Sequence, residues 1–116
     1  MAGPRTQPYF RGDDLPPAGF LWKVKGQPLD LSDPDWEIIA RLGTRSEPAL
    51  VELDVVGFGS ASDPNVVITF ADGDLDPLPV GLADGVIIAT RNDLTETMPF
   101  EMPIHRTIEP PAPPGP

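Results

Sequence analysis

The side chains able to do chemistry are few and widely spaced. The chain has one histidine, His105, set between Pro103-Ile104 and Arg106, and no second His or Cys accompanies it to complete a transition-metal site. It reads as a solvent-facing residue on the polar side of a strand. Nucleophilic catalysis needs a hydroxyl with a base and an orienting carboxylate, yet Ser32, Ser46, Ser60 and Ser62 all sit in turn-like sequence. Acidic residues abound, but none lies in the apolar setting that would raise a carboxyl pKa for acid-base work. No catalytic, cofactor-binding or metal-binding residue is therefore expected, and the chain reads as a non-enzyme.

Four further motifs fail on their spacing or have a simpler explanation. Asp72-Gly73-Asp74-Leu75-Asp76 opens like a calcium loop, but Pro77 occupies the position that needs glycine and Ala83 the position that needs a bidentate glutamate. Gly57-Phe58-Gly59-Ser60 lacks the third glycine and the lysine of a phosphate-cradling loop. Arg11-Gly12-Asp13 spells an adhesion tripeptide of a kind that recurs by chance. Trp22 and Trp36 offer aromatic platforms for a sugar ring or a peptide, although each falls in register with an apolar face and so suits a core.

Whatever positions these residues is built of strands. The 116 residues include 11 glycines and 17 prolines, too many helix breakers for a bundle or a coiled coil. Leu, Val, Ile and Phe together make up roughly 27% of the chain, above the roughly 20% below which charged chains fail to fold. A single domain with a real core follows. With 8 Lys+Arg against 18 Asp+Glu the formal charge is −10, which disfavours nucleic acid and anionic membranes as partners, because both attract cations. The absence of cysteine removes disulfides and thiolate sites, leaving apolar burial and backbone pairing to hold the fold. No window approaches the ~20 apolar residues of a transmembrane helix, and the first residues carry no apolar stretch of the signal-peptide type.

Period-two alternation locates the strands. Phe20, Trp22 and Val24 alternate with Leu21, Lys23 and Lys25, and Gly26-Gln27-Pro28 is expected to turn the chain. Trp36, Ile38, Ala40 and Leu42 form a second apolar series, for which a short helix over 35–42, capped by Ser32 or Asp33, is the competing reading. Val51, Leu53 and Val55 give a third face, and Val66, Ile68 and Phe70 a fourth. Leu75 to Leu82, with Pro77, Pro79 and Gly81, is expected to be a crossover or one helical turn, with a strand restarting at Gly85 to Thr90. Phe100, Met102, Ile104 and Ile108 line the last strand, whose Pro99 and Pro103 lack N–H donors and point to a sheet edge. Six or seven short strands separated by turns spell an all-β, single antiparallel β-sandwich. The expected division is an extended N-terminal arm over 1–18, a β-sandwich over 19–108 and a Pro-rich tail over 109–116 in polyproline II conformation.

Phe10-Arg11-Gly12-Asp13-Asp14, followed by Phe20-Leu21-Trp22-Lys23-Val24-Lys25-Gly26-Gln27-Pro28-Leu29-Asp30-Leu31-Ser32, resembles the opening of small tail and baseplate proteins of long-tailed bacteriophages. The likeness is to the immunoglobulin-like N-terminal domain of baseplate upper proteins and to minor tail proteins of actinobacterial phages. It extends over about the first 42 residues, with Ala40-Arg41 closing the second strand. Pro34 stands where such domains usually have glycine, and Val86 to Thr90 lacks their aromatic-plus-aspartate pattern.

The resemblance implies an immunoglobulin-like sandwich acting as a virion structural protein. Such a protein is a minor tail or baseplate (tail-tip) adaptor, made in the host cytoplasm and present in several symmetry-related copies beside other tail proteins. The other readings are a host-surface carbohydrate-binding module using Trp22 or Trp36, and a head decoration or head-to-tail connector protein.

Overall fold

The computed structural model describes residues 4–10, 15–47 and 49–105, and within them the protein is all-β with no helix. Nine strands form: β1 (Tyr9–Phe10), β2 (Ala18–Phe20), β3 (Lys23–Val24), β4 (Gln27–Pro28), β5 (Glu37–Gly43), β6 (Val51–Gly57), β7 (Val66–Thr69), β8 (Gly81–Arg91) and β9 (Leu94–His105). Seven of them make one sheet in the order β1-β9-β8-β5-β6-β7-β2, and β3-β4 is a separate hairpin. All neighbours are antiparallel except β1, which runs parallel to β9 with Tyr9 opposite Ile104 and Phe10 opposite His105.

The sheet is sandwich-like because it folds back on itself. Phe20 of terminal strand β2 packs its ring 5.2 Å from that of Phe100 on β9, and Tyr9 of β1 lies 5.1 Å from Phe70, just past β7. Strands from opposite ends of the sheet thus face each other across one core, which includes Ala40, Leu42, Ile68, Ile87 and Met102. The expected alternation holds: Trp36, Ala40 and Leu42 are buried, with Ile38 half-buried beside them, while Glu37 is exposed. Burying each large aliphatic or aromatic side chain contributes about 1.5–3 kcal/mol. Residues 37–43 are strand; alternating burial on a seven-residue ladder to β8 decides against the helix.

Four expectations are corrected. The first alternating run is broken: β2 stops at Phe20, and the turn falls at Lys25-Gly26, where both residues have positive φ (54° and 79°) and fit a two-residue hairpin loop. Gln27 and Pro28 therefore pair back onto β3 instead of forming the turn. The strand expected from Gly85 begins at Gly81, and the crossover before it is a series of turns over 72–77 that buries Leu75 and Leu78.

Only one proline of β9 stands at a sheet edge: at Pro99 the strand pairs with β8 alone among the described residues, whereas Pro103 lies between the Arg5–Glu101 bridge and the Tyr9–Ile104 pair. Glu101 donates its N–H to Pro4 and accepts from the Thr6 N–H, so its backbone faces the N-terminal segment. By the two-residue period Pro99 and Pro103 face the same way, and the ladder to β8 keeps its donors. Finally, the N-terminal stretch does not lie apart from the domain: Arg5 bridges to Glu101 and Tyr9–Phe10 pair with β9, so its described part is the edge of the sheet. Four residues from Arg5 to Tyr9 span three from Glu101 to Ile104, which places a bulge in this edge. The Pro-rich tail over 109–116 and Ile108 lie outside the described residues.

Candidate interaction site

The two terminal strands, β1 and β2, border a common groove of about 490 Å3, with one wall from residues 4–9 and the other from 17–21. Tyr9 and Phe20 are buried at the groove, while Pro4, Pro17 and Leu21 are exposed beside it. The Tyr9 hydroxyl donates to the Pro16 carbonyl at 2.6 Å, tying the edge segment to the chain that enters β2. Burial pushes the pKa of that phenol up, opposed by a hydrogen bond with Gln7. A neutral donor is thereby kept at the join between the two edges.

Among the described residues Arg5 is the one charged residue lining the groove. Its guanidinium meets Glu101 at 3.1 Å and remains largely exposed, with donors beyond the one that Glu101 takes. Among the described residues no acidic side chain lines the groove, in a chain whose formal charge is −10. The groove therefore differs in character from the acidic chain around it. Its two walls are extended backbone at the ends of a sheet, the arrangement that accepts an added extended segment.

The groove's second wall is held from behind by Asn65. This side chain is fully buried; it accepts the Trp22 N–H at 2.7 Å and donates to the carbonyls of Trp22 (2.9 Å) and Leu29 (2.8 Å). The Asn65 N–H also donates to the Phe20 carbonyl at 3.1 Å, which fixes the chain where β2 ends. In the sequence Asn65 is marked only as an amide residue directly before the apolar run Val66–Thr69, a signal too common to single it out.

The residues with chemical potential remain scattered. His105 is exposed and stacks 5.3 Å from Phe10 with its ring tilted 30°. The acidic turn is knit to itself: Asp74 accepts the Ala71 N–H at 2.8 Å and returns its own N–H to the Ala71 carbonyl. Among the described residues no group of three or more His, Asp or Glu side chains could hold a metal ion. In Gly57-Phe58-Gly59-Ser60, Gly57 closes β6 and Ser60 opens the turn that follows, while Phe58 accepts the Leu31 N–H and donates its own N–H to the Asn65 carbonyl. Arg11-Gly12-Asp13 lies outside the described residues.

Neither indole offers an open ring face. Trp22 is 3% exposed and Trp36 8%. Trp36 donates its ring N–H to the Asp30 carbonyl at 3.0 Å and is covered by the Arg91 guanidinium, 4.7 Å from the ring centre. Asp33 anchors that guanidinium from outside at 3.1 Å. Both tryptophans belong to the core cluster.

No family model, curated protein or solved structure matches the chain.

Proposed function

We propose that this chain is a virion structural protein, an adaptor of the phage tail tip or baseplate that works by assembling with other tail proteins. The observation that carries an assembly role is the groove between β1 and β2, where both ends of the sheet border one surface whose described lining holds no acidic side chain. The virion setting rests on the resemblance of residues 10–32 to phage tail and baseplate proteins.

An immunoglobulin-like arrangement is part of this reading. In immunoglobulin domains the last two strands neighbour strand C on one sheet, and strands B and E neighbour each other on the other. Here β9-β8-β5 and β7-β2 have those adjacencies, with β6 joining the two groups into one sheet. The pairing pattern supports the immunoglobulin-like reading and, among the described residues, leaves the outer sides of β1 and β2 without a strand partner.

The mechanism is docking without chemistry. The rigid sheet holds the groove, and the Pro-rich end of the chain reaches across to adjacent subunits. Particles assembled with a chain lacking 109–116 should incorporate less of it, while the truncated domain keeps its melting temperature. Full incorporation would overturn the tail's role, and absence of the chain from purified particles would overturn the virion reading.

The carbohydrate reading loses its proposed platform, because Trp22 and Trp36 are both core residues.

A further inference from the structure

We infer that the groove between residues 4–9 and 17–21 receives the Pro-rich segment 106–116 of a second copy of this chain. This rests on the assembly reading above and names the two surfaces that would meet. Three observations converge on that occupant.

The first is where the segment starts. Residue 106 follows His105, and His105 pairs with Phe10 in a parallel ladder, so the chain leaves β9 moving in the direction of β1. That direction leads away from the wall at residues 4–9 of its own domain. Entering its own groove would require an immediate reversal, which the groove of a second copy does not.

The second is length. Six extended residues, 4–9, make a wall of about 20 Å. The eleven residues 106–116 reach about 34 Å as polyproline II, enough to cross to a neighbour and line the whole wall.

The third is composition. Five of those eleven residues are proline, so the segment offers carbonyl acceptors and apolar rings with few N–H donors. The groove offers the complement: apolar contact from Pro4, Pro17 and Leu21, and donors from Arg5 and Gln7. Arg106 and Glu109 cancel in formal charge, so the match rests on the prolines. The shared occupant chemistry is therefore an extended, proline-rich strand, and the chain carries one.

The natural absence of cysteine makes a clean cross-linking test possible. Two full-length single-cysteine chains, Leu21→Cys and Ala112→Cys, would be mixed and oxidised, and heterodimer formation followed on non-reducing gels. Leu21 is 39% exposed, so its replacement leaves the core intact. The control pairs Ala112→Cys with Val56→Cys, which is 47% exposed on the outer face of β6. Heterodimer through Leu21→Cys should form at least tenfold faster than through Val56→Cys, and sedimentation should show self-association of the native chain that is lost on removing 106–116. Equal rates for the two pairs would overturn the proposal. So would a Leu21→Cys/Ala112→Cys double variant that closes within one chain at high dilution. Self-association that persists without the segment would overturn this docking while sparing the assembly reading; a native chain that stays monomeric and absent from particles would overturn both.

Discussion

Asn65 and Trp22 exchange two hydrogen bonds across 43 residues of sequence, the Trp22 N–H donating to the Asn65 side-chain oxygen and the Asn65 amide donating back to the Trp22 carbonyl. The amide spends its other N–H on the Leu29 carbonyl. One buried side chain thus serves three backbone groups, of which the Trp22 carbonyl also accepts the Leu29 N–H. Asn65→Ala would strand the other two, the Trp22 N–H and the Leu29 carbonyl, at about 1–3 kcal/mol for each group left unpaired in the interior. A loss of about 2 kcal/mol or more in chemical denaturation is expected. Asn65→Asp should be nearly as harmful, because an ionised carboxylate accepts but cannot donate to the two carbonyls. An aspartate variant as stable as the native chain would show that the donations contribute little.

Gly85 stands directly opposite Phe100 in the β8–β9 ladder, and the Phe100 ring lies where a Cβ on residue 85 would be. Phe100 is 1% exposed and also packs on Phe20, so it has no room to withdraw. Gly85→Ala should cost about 1–3 kcal/mol, the usual penalty of overpacking. Combining it with Phe100→Leu should cost less than the sum of the two single changes. Additive losses in a thermal-melt series would place the strain elsewhere.

Local alternation made β5, β6, β7 and the second half of β9 legible, because each has one buried and one wet face and so repeats every two residues. It failed where pairing is long-range or where a strand begins in turn-like sequence. Tyr9–Phe10 is too short to show a period, and its partner lies some 95 residues away. Gly81 opens β8 at a φ of 135°, directly after a Pro79-Val80 step that reads as a loop. Pro99 and Pro103 signal an edge to any local reading, since only the pairing partner reveals which side of the strand lacks its donor. The groove is the product of β1 and β2 meeting in space, and no motif marks it. Asn65 was illegible for the same reason: its three acceptors and donors come from residues 22 and 29.

Arg91 is expected to be the surface residue of greatest consequence for the core. It lies over the Trp36 ring and pairs with Asp33, with side-chain exposures of 36% and 40% for the two charged partners. Contacts of this exposure are worth about 0.5–1 kcal/mol for the cation over the ring and 0.2–1 kcal/mol for the ion pair. Arg91→Ala should therefore lower stability by about 1 kcal/mol and shift tryptophan emission to the red. Asp33→Asn alone should cost less, and its effect should vanish in the Arg91→Ala background. An unchanged emission maximum would mean that the guanidinium does not shield the indole.

Acid should weaken the turn that carries Trp36. The Asp30 carboxylate accepts the Ser32 hydroxyl at 2.6 Å and the Ser32 N–H at 3.0 Å, and these bonds, with a smaller contribution from the Arg91 charge, hold its pKa below the ordinary aspartate value. A carboxyl with a lower pKa in the folded state than in the unfolded one stabilises the fold above the unfolded value and loses that contribution as pH falls through the folded value. Stability should thus decline on acidification below the ordinary aspartate range, in part through Asp30. Ser32→Ala removes the hydroxyl donor, so the Asp30 midpoint followed by carboxyl NMR should move up towards the ordinary value. The acid limb of the stability curve should begin at correspondingly higher pH. A midpoint unmoved by Ser32→Ala would assign the shift to the backbone donor and to Arg91, and Arg91→Ala should then move it instead.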